Sequence, residues 1–297
     1  MPQICIPREF YQLFHSRYIA ISGDFKELSK FFSYFWNLQT LVLNTPKPTL
    51  DIKAGIWNMS RLRHLRTNKP ANFPPPTTST SSCLQTLSLV APESCKEDVL
   101  AKASNLKKLS IKGNMATFLE TSKGEFSNFL VLERLESLTL LNDYLSRALH
   151  LPSALFVYLP KLKKLTLSKT RFEWNEANRL GHLECLEVLK LKENAFTGNS
   201  WKMEAGGFRK LQVLWIERAE LVSWEASNCS FPRLRNLVFV SCLNLAKVPP
   251  ELADLEYLQE MVLDNTSKAG DSAKEIERKR KEKQTPESIK FKLTISY

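Results

Sequence analysis

Six cysteines and four histidines are the side chains here best suited to metal binding or nucleophilic attack, and their spacing supports neither. The cysteines stand at 5, 83, 95, 185, 229 and 242, with no C-x-x-C pair and no histidine pattern nearby. The common zinc spacings are therefore excluded, and no disulfide framework is visible. His15, His64, His150 and His182 are far apart, and the carboxylates are scattered singly. No G-x-x-x-x-G-K-[ST] phosphate loop, G-x-G-x-x-G turn or G-x-S-x-G elbow occurs, and Gly206-Gly207 is the sole adjacent pair among nine glycines. The expectation is a chain with no catalytic residue, no metal and no cofactor. What it carries in quantity is charge: 42 Lys and Arg against 31 Asp and Glu, a net +11 in 297 residues. A balance of that sign favours acidic partners.

The elements that position those charges are set by one six-residue pattern, L-x-x-L-x-L with conservative swaps. It begins at Leu38, Leu62, Leu84, Leu106, Leu135, Leu162, Leu186, Leu211, Leu234 and Leu258, with gaps between 22 and 29 residues. A weaker copy ends on Ile19 and Ile21, with Ser16 in the first slot. Pairs such as Leu41 and Leu43, or Leu165 and Leu167, are two apart, so both point to one side of a short strand. The Leu three residues earlier fills the same interior from the incoming turn. No repeat can bury that stripe alone, so neighbours must stack and share a core. A period in the twenties with this core predicts an α/β fold: a leucine-rich-repeat solenoid, or horseshoe, with a parallel concave sheet and an irregular or helical convex side. Cys242, three residues past its strand, occupies the slot where Asn or Cys turns inward to bond loop backbone, and Asn114 and Asn194 hold the same slot.

Strand alternation then defines an exposed column on the concave face. Through the middle it reads His64, Arg66, Lys108, Lys112, Lys164, Lys190 and Lys192, interrupted in part by Glu187 and Glu217. It then turns apolar at Val213, Trp215, Val238, Val240 and Val262. A tryptophan among valines on such a face has the composition of a contact hot spot.

The array is expected to fill residues 1–266 with about eleven repeats, followed by a polar, basic linker or helix at 267–288 and a final strand at 289–297. Residues 69–82, with consecutive prolines and a Thr/Ser run, form a loop. Extra material, including Phe118–Phe129 and Asp143–Tyr158, has helix-like apolar spacing that suits the convex side. Ile4, Ile6, Phe10, Tyr11, Leu13 and Phe14 are apolar where an end repeat should be polar, which suggests that a preceding segment is missing. The run Arg278-Lys-Arg-Lys-Glu-Lys283 could contact nucleic acid, but interleaved Glu275, Glu277 and Glu282 favour a solvated helix or tail. No stretch of about 18 apolar residues could span a membrane. The N-terminus has no secretory pattern, and the expected compartment is cytoplasmic.

The text between repeats is more specific. Trp36-Asn-Leu38-Gln-Thr-Leu41, Ile56-Trp-Asn-Met-Ser-Arg-Leu62-Arg-His-Leu65 and Leu189-Lys-Leu191-Lys-Glu-Asn194-Ala-Phe196-Thr-Gly-Asn-Ser-Trp201 resemble the repeat region of plant nucleotide-binding leucine-rich-repeat immune receptors. Val240-Ser-Cys242-Leu-Asn-Leu245-Ala-Lys-Val-Pro249, followed by Leu252, is similar to the late part of that array. The nearest subset is the coiled-coil class with late-blight-resistance-like proteins. The resemblance implies a non-catalytic module of an intracellular receptor that reads a pathogen effector or its host target. It also implies restraint of the receptor's own nucleotide-binding module, whose ATP/ADP site has no counterpart in these residues. A repeat adaptor of another kind, such as the substrate-reading part of a ubiquitin ligase, is the alternative.

Overall fold

The computed structural model describes residues 8–76, 82–120, 129–143, 148–152, 159–227, 229–283 and 289–296. The Thr/Ser run at 77–81, the apolar start at 1–7 and most of the extra material at 121–128, 144–147 and 153–158 lie outside them. The chain forms two compact units, Met1–Tyr144 and Leu145–Tyr297.

In the first unit, six strands follow one another in parallel: β1 (Tyr18–Ser22), β2 (Thr40–Asn44), β3 (His64–Thr67), β4 (Thr86–Val90), β5 (Lys108–Gly113) and β6 (Ser137–Asn142). The second unit repeats the scheme with β7 (Lys164–Ser168), β8 (Val188–Lys192), β9 (Val213–Glu217), β10 (Asn236–Val240), β11 (Glu260–Asp264) and β12 (Lys292–Ser296). Each unit is leucine-rich-repeat solenoid. Like residues align across neighbouring strands, for example Leu41 with Leu65 and Leu189 with Leu214. One carbonyl per repeat fixes that register by accepting two N–H groups of the next: Gln39 from Arg63 and His64, Lys163 from Glu187 and Val188, Glu187 from Gln212 and Val213, all at 2.8–3.0 Å.

The ten leucines that open the pattern are all at most 1% exposed. Burying a leucine side chain stabilises by about 1.5–3 kcal/mol, so the stack is the main source of stability. The return segments are irregular, with 3-10 turns such as Lys30–Tyr34 and Trp174–His182 and the short helices α1 (Glu97–Lys102) and α2 (Met115–Glu120). In the second unit they bury an aromatic pile: Trp201 stacks on Trp174 at 5.0 Å and on Trp224 at 5.9 Å.

The chain leaves β7 to β11 through a left-handed residue each time: Lys169, Glu193, Arg218, Ser241 and Asn265, with φ between 47° and 56°. None is glycine. The sharp exit costs about 1–2 kcal/mol for most residue types. It lets backbone groups reach the next repeat, as when Glu193 N–H donates to Glu217 O at 2.9 Å.

Three sequence expectations are corrected. In the copy that opens at Leu84 the inward slot belongs to Val90, which aligns with Ile111, because left-handed Leu89 inserts an irregularity after Leu87. Val90 is 1% exposed and Leu89 is half-buried. Asn114 does not turn into the repeat interior; its Oδ1 accepts from Ala116 N–H at 3.1 Å at the start of α2. Asn194 takes a left-handed conformation, and its Nδ2 donates to Glu220 at 3.4 Å. The slot works as expected at Cys242, which is buried with its thiol directed at the carbonyls of Ile216 and Val240, both at 3.6 Å. Thr170 and Thr266, at the equivalent positions, are wholly buried and bond Ala195 O and Asp264 O.

After β11 the chain forms the helix α3 (Gly270–Glu282), which buries Ala273 and Ile276 and is tied to the preceding repeat by Arg280. The Arg280 guanidinium donates to the carbonyls of Ala253, Leu255 and Leu258 at 2.6–3.1 Å, under the ring of Phe291. Those carbonyls lie at and just after the end of the 3-10 turn Pro250–Asp254, where backbone acceptors are no longer all paired within the turn.

Candidate recognition surface

Residues between the buried leucines stand on the opposite face of each sheet, because successive strand side chains alternate. In the first unit this face carries His64, Arg66, Lys108 and Lys112. Arg66 and Lys108 are exposed and His64 is half-buried. Among the described residues no carboxylate lies within ion-pair reach of Arg66 or Lys108, whereas Lys112 approaches Asp143 at 3.6 Å. His64 Nδ1 sits 3.1 Å from the Thr86 hydroxyl. Burial, then the charges of Arg66, Arg63 and Lys108, push its imidazole below the ordinary 6.5. It is neutral near pH 7, so of these four residues Arg66 and Lys108 are the cations without an ion pair among the described residues.

In the second unit the face is ordered. Lys164 is exposed on β7; Lys190 and Lys192 are half-buried on β8. Trp215 on β9 lies beside both lysines, each ammonium 5.5 Å from its ring centroid. The indole N–H donates to Glu217 at 3.3 Å, and Lys192 pairs with the same carboxylate at 2.9 Å. Burial alone would raise the Glu217 carboxyl, but its bonds to Lys192 and Trp215 outweigh that and hold it low. Trp215 is thus pinned with part of its surface open. Val213, Val240 and Val262 are also partly open. Val238 departs from expectation: it is 8% exposed, since its register neighbours Trp215 and Val262 close over it from both sides. It supports Trp215 and offers little contact area.

Counting leucines alone missed the acidic side of the same face. Glu260 and Asp264 on β11 accept from Asn236 Nδ2 at 2.9 Å and Ser296 Oγ at 2.7 Å, with no cation paired to either among the described residues. The signal was present in the pattern, since both alternate with buried Met261 and Leu263.

The basic cluster on α3 is internally neutralised. Arg278 bonds Glu275 and Glu282, Lys281 bonds Glu277, and Lys283 pairs with Asp254. Arg280 is turned inward as described. That leaves little free charge for a phosphate backbone. Cys95 and Cys242 are buried, and burial pushes both thiols up, so neither is a ready nucleophile. Among the described residues no group of three or more His, Cys, Asp or Glu side chains could hold a metal ion, and no helix is long and apolar enough to cross a membrane.

Parallel ladders, a repeated leucine interior and an exposed alternating face define a leucine-rich-repeat protein. The chain is homologous over most of its length to the C-terminal part of the late blight resistance protein homologues. It is 32% identical over 296 residues to a putative late blight resistance protein homologue of Solanum demissum, covering 95% of this chain and 37% of that protein. Two further homologues of the same plant, R1B-13 and R1B-16, are 30% and 28% identical, over 98% and 87% of this chain but 25% and 20% of their own lengths. The chain therefore spans between about a fifth and two-fifths of these curated relatives. No family profile matches it. An internalin structure from Listeria monocytogenes shares 13% identity and a TM-score of 0.46 over 87% of both chains.

Proposed function

We propose that this chain is the non-catalytic protein-recognition part of a plant disease-resistance protein, working in the cytoplasm. It reads a pathogen effector or that effector's host target, and it helps keep the receptor's nucleotide-binding module inactive. The observation that carries this reading is homology across nearly the whole chain to late blight resistance protein homologues. The cations left unpaired on the sheet face support it, since they suit an acidic docking partner. Arg66 and Lys108 in the first unit, and Lys164 and Lys190 in the second, are the proposed anchors. Each exposed pair contributes only about 0.2–1 kcal/mol, so several must act together. A combined bias of about 3 kcal/mol shifts a two-state switch more than a hundredfold. No cofactor belongs to this region on this reading; the ATP/ADP site lies in the nucleotide-binding module.

The test is charge reversal in a full-length receptor carrying this repeat region. Arg66→Glu with Lys108→Glu, and separately Lys164→Glu with Lys190→Glu, should give effector-independent cell death and weaker co-precipitation with the nucleotide-binding module. Unchanged association and a silent receptor in both cases would reject the basic residues as the docking surface.

A further inference from the structure

The sheet face of the second unit changes character strand by strand. In register, its central row reads Thr166, Lys190, Trp215, Val238, Val262 and Thr294. The row toward the strand starts runs Lys164, Val188, Val213, Asn236, Glu260 and Lys292, and the row toward the strand ends runs Ser168, Lys192, Glu217, Val240, Asp264 and Ser296. The face is therefore basic on β7 and β8, aromatic and aliphatic on β9 and β10, and acidic on β11. Lys192 and Glu217 neutralise each other at the boundary. Among the described residues Lys164 and Lys190 at one side, and Glu260 and Asp264 at the other, make no ion pair, although Lys292 on β12 stands in register beside Glu260.

We propose that this face holds one amphipathic α-helix of a protein partner, laid across the strands. Its acidic end sits over Lys164 and Lys190, its apolar stripe on Trp215 and Val262, and its basic end over Glu260 and Asp264. This rests on the reading of the chain as a recognition module and states what the second unit recognises.

Two physical arguments select a helix with this charge order. Neighbouring strands are ~4.8 Å apart, and successive helical turns bring one face back every ~5.4 Å, so each turn meets nearly one strand. An extended segment in the same direction repeats its face every ~6.6–6.8 Å and falls out of step after two strands. From β7 to β11 the face spans four spacings, ~19 Å, matching a helix of ~13 residues at 1.5 Å per residue. The second argument is charge complementarity: the opposite orientation sets lysines against basic residues and carboxylates against acidic ones, which costs affinity on both flanks. Trp215 is the anchor, because its indole is held by Glu217 and two lysines before any partner arrives and loses little freedom on binding.

The experiment pans the full 297-residue chain against displayed helix-forming peptides of about 13 residues, the length given by the helical rise. An apolar i, i+4, i+7 stripe is fixed, and the end positions are randomised among Glu, Lys and Gln. Enrichment of peptides acidic at one end and basic at the other is expected. These should bind at least ~10-fold tighter than peptides of the same composition with interleaved charges. Trp215→Ala should weaken them at least ~10-fold while the variant keeps the parent's circular-dichroism spectrum, and Lys164→Glu with Lys190→Glu should select basic residues at the formerly acidic end. No enrichment, enrichment without charge order, or binding indifferent to Trp215→Ala would overturn the proposal. If it fails while charge reversal still activates the receptor, the recognition reading stands without the helix. If ordered peptides bind but the receptor is indifferent to all these substitutions, the recognition reading fails instead.

Discussion

Leu189 and Lys190 are adjacent in sequence and opposite in fate. Leu189 is wholly buried, while Lys190 stands half-buried on the sheet face. Leu189→Asp places a charge in the shared interior with no partner, and should cost at least about 3 kcal/mol and unfold its local repeats. Lys190→Asp should change stability by no more than about 0.5 kcal/mol. Circular-dichroism melts of the two variants check the register, and the reverse order would show that the face is assigned one residue out. Glu217 adds a pH dependence. Its folded value lies below the ordinary 4.5, so the stability it contributes is complete above 4.5 and disappears as pH falls through the lowered folded value. In acid melts Glu217→Gln should therefore lose less stability than the parent chain below about pH 4.5. Equal losses would mean that the contacts to Lys192 and Trp215 do not persist in solution.

At the scale of elements, the repeated left-handed exit and the Arg280 clamp are where the fold is most exposed to single changes. Arg218, with φ of 50°, leads out of β9. Arg218→Gly relieves the side-chain conflict and should be neutral within about 0.5 kcal/mol, whereas β-branched Arg218→Val should cost about 1–2 kcal/mol. Equal effects in denaturant titrations would reject strain as the reason. Arg280→Met keeps the apolar stem but leaves the carbonyls of Ala253, Leu255 and Leu258 without their donor. The expected loss is about 2 kcal/mol. Hydrogen exchange should show it as lost protection along Gly270–Glu282, with the strands β7 to β9 unaffected, since solenoid repeats depend chiefly on their neighbours.

At the scale of the molecule, +11 is a long-range field that does not depend on any one contact. It should speed encounter with an acidic partner and lose that advantage as salt shortens the screening length from ~10 Å at 0.1 M toward ~3 Å at 1 M. Stopped-flow association with the nucleotide-binding module of a late blight resistance homologue should slow at least ~10-fold between 0.02 and 0.5 M salt, with a smaller change in dissociation. A rate independent of salt would remove the basis for electrostatic docking.

The spacing of the leucines specifies the repeat, its register and the face of nearly every strand. Two-residue alternation leaves no freedom once one side must be buried, and the leucines opening the ten copies are all interior. The segments between leucines are distinctive and carry the family resemblance. Features that depend on which repeat lies beside which are visible only in the folded stack. Leu89 looked inward by spacing but yields to Val90, because one left-handed residue moves the end of that strand out of step. Val238 alternates outward yet is covered by neighbours 23 and 24 residues away in the chain. The run at Arg278–Lys283 reads as a solvated helix or tail diluted by glutamates, but only the folded helix shows each Glu at its cation and Arg280 turned toward carbonyls more than 20 residues earlier. Local periodicity sets which way a side chain points; what it meets there is a property of the stack.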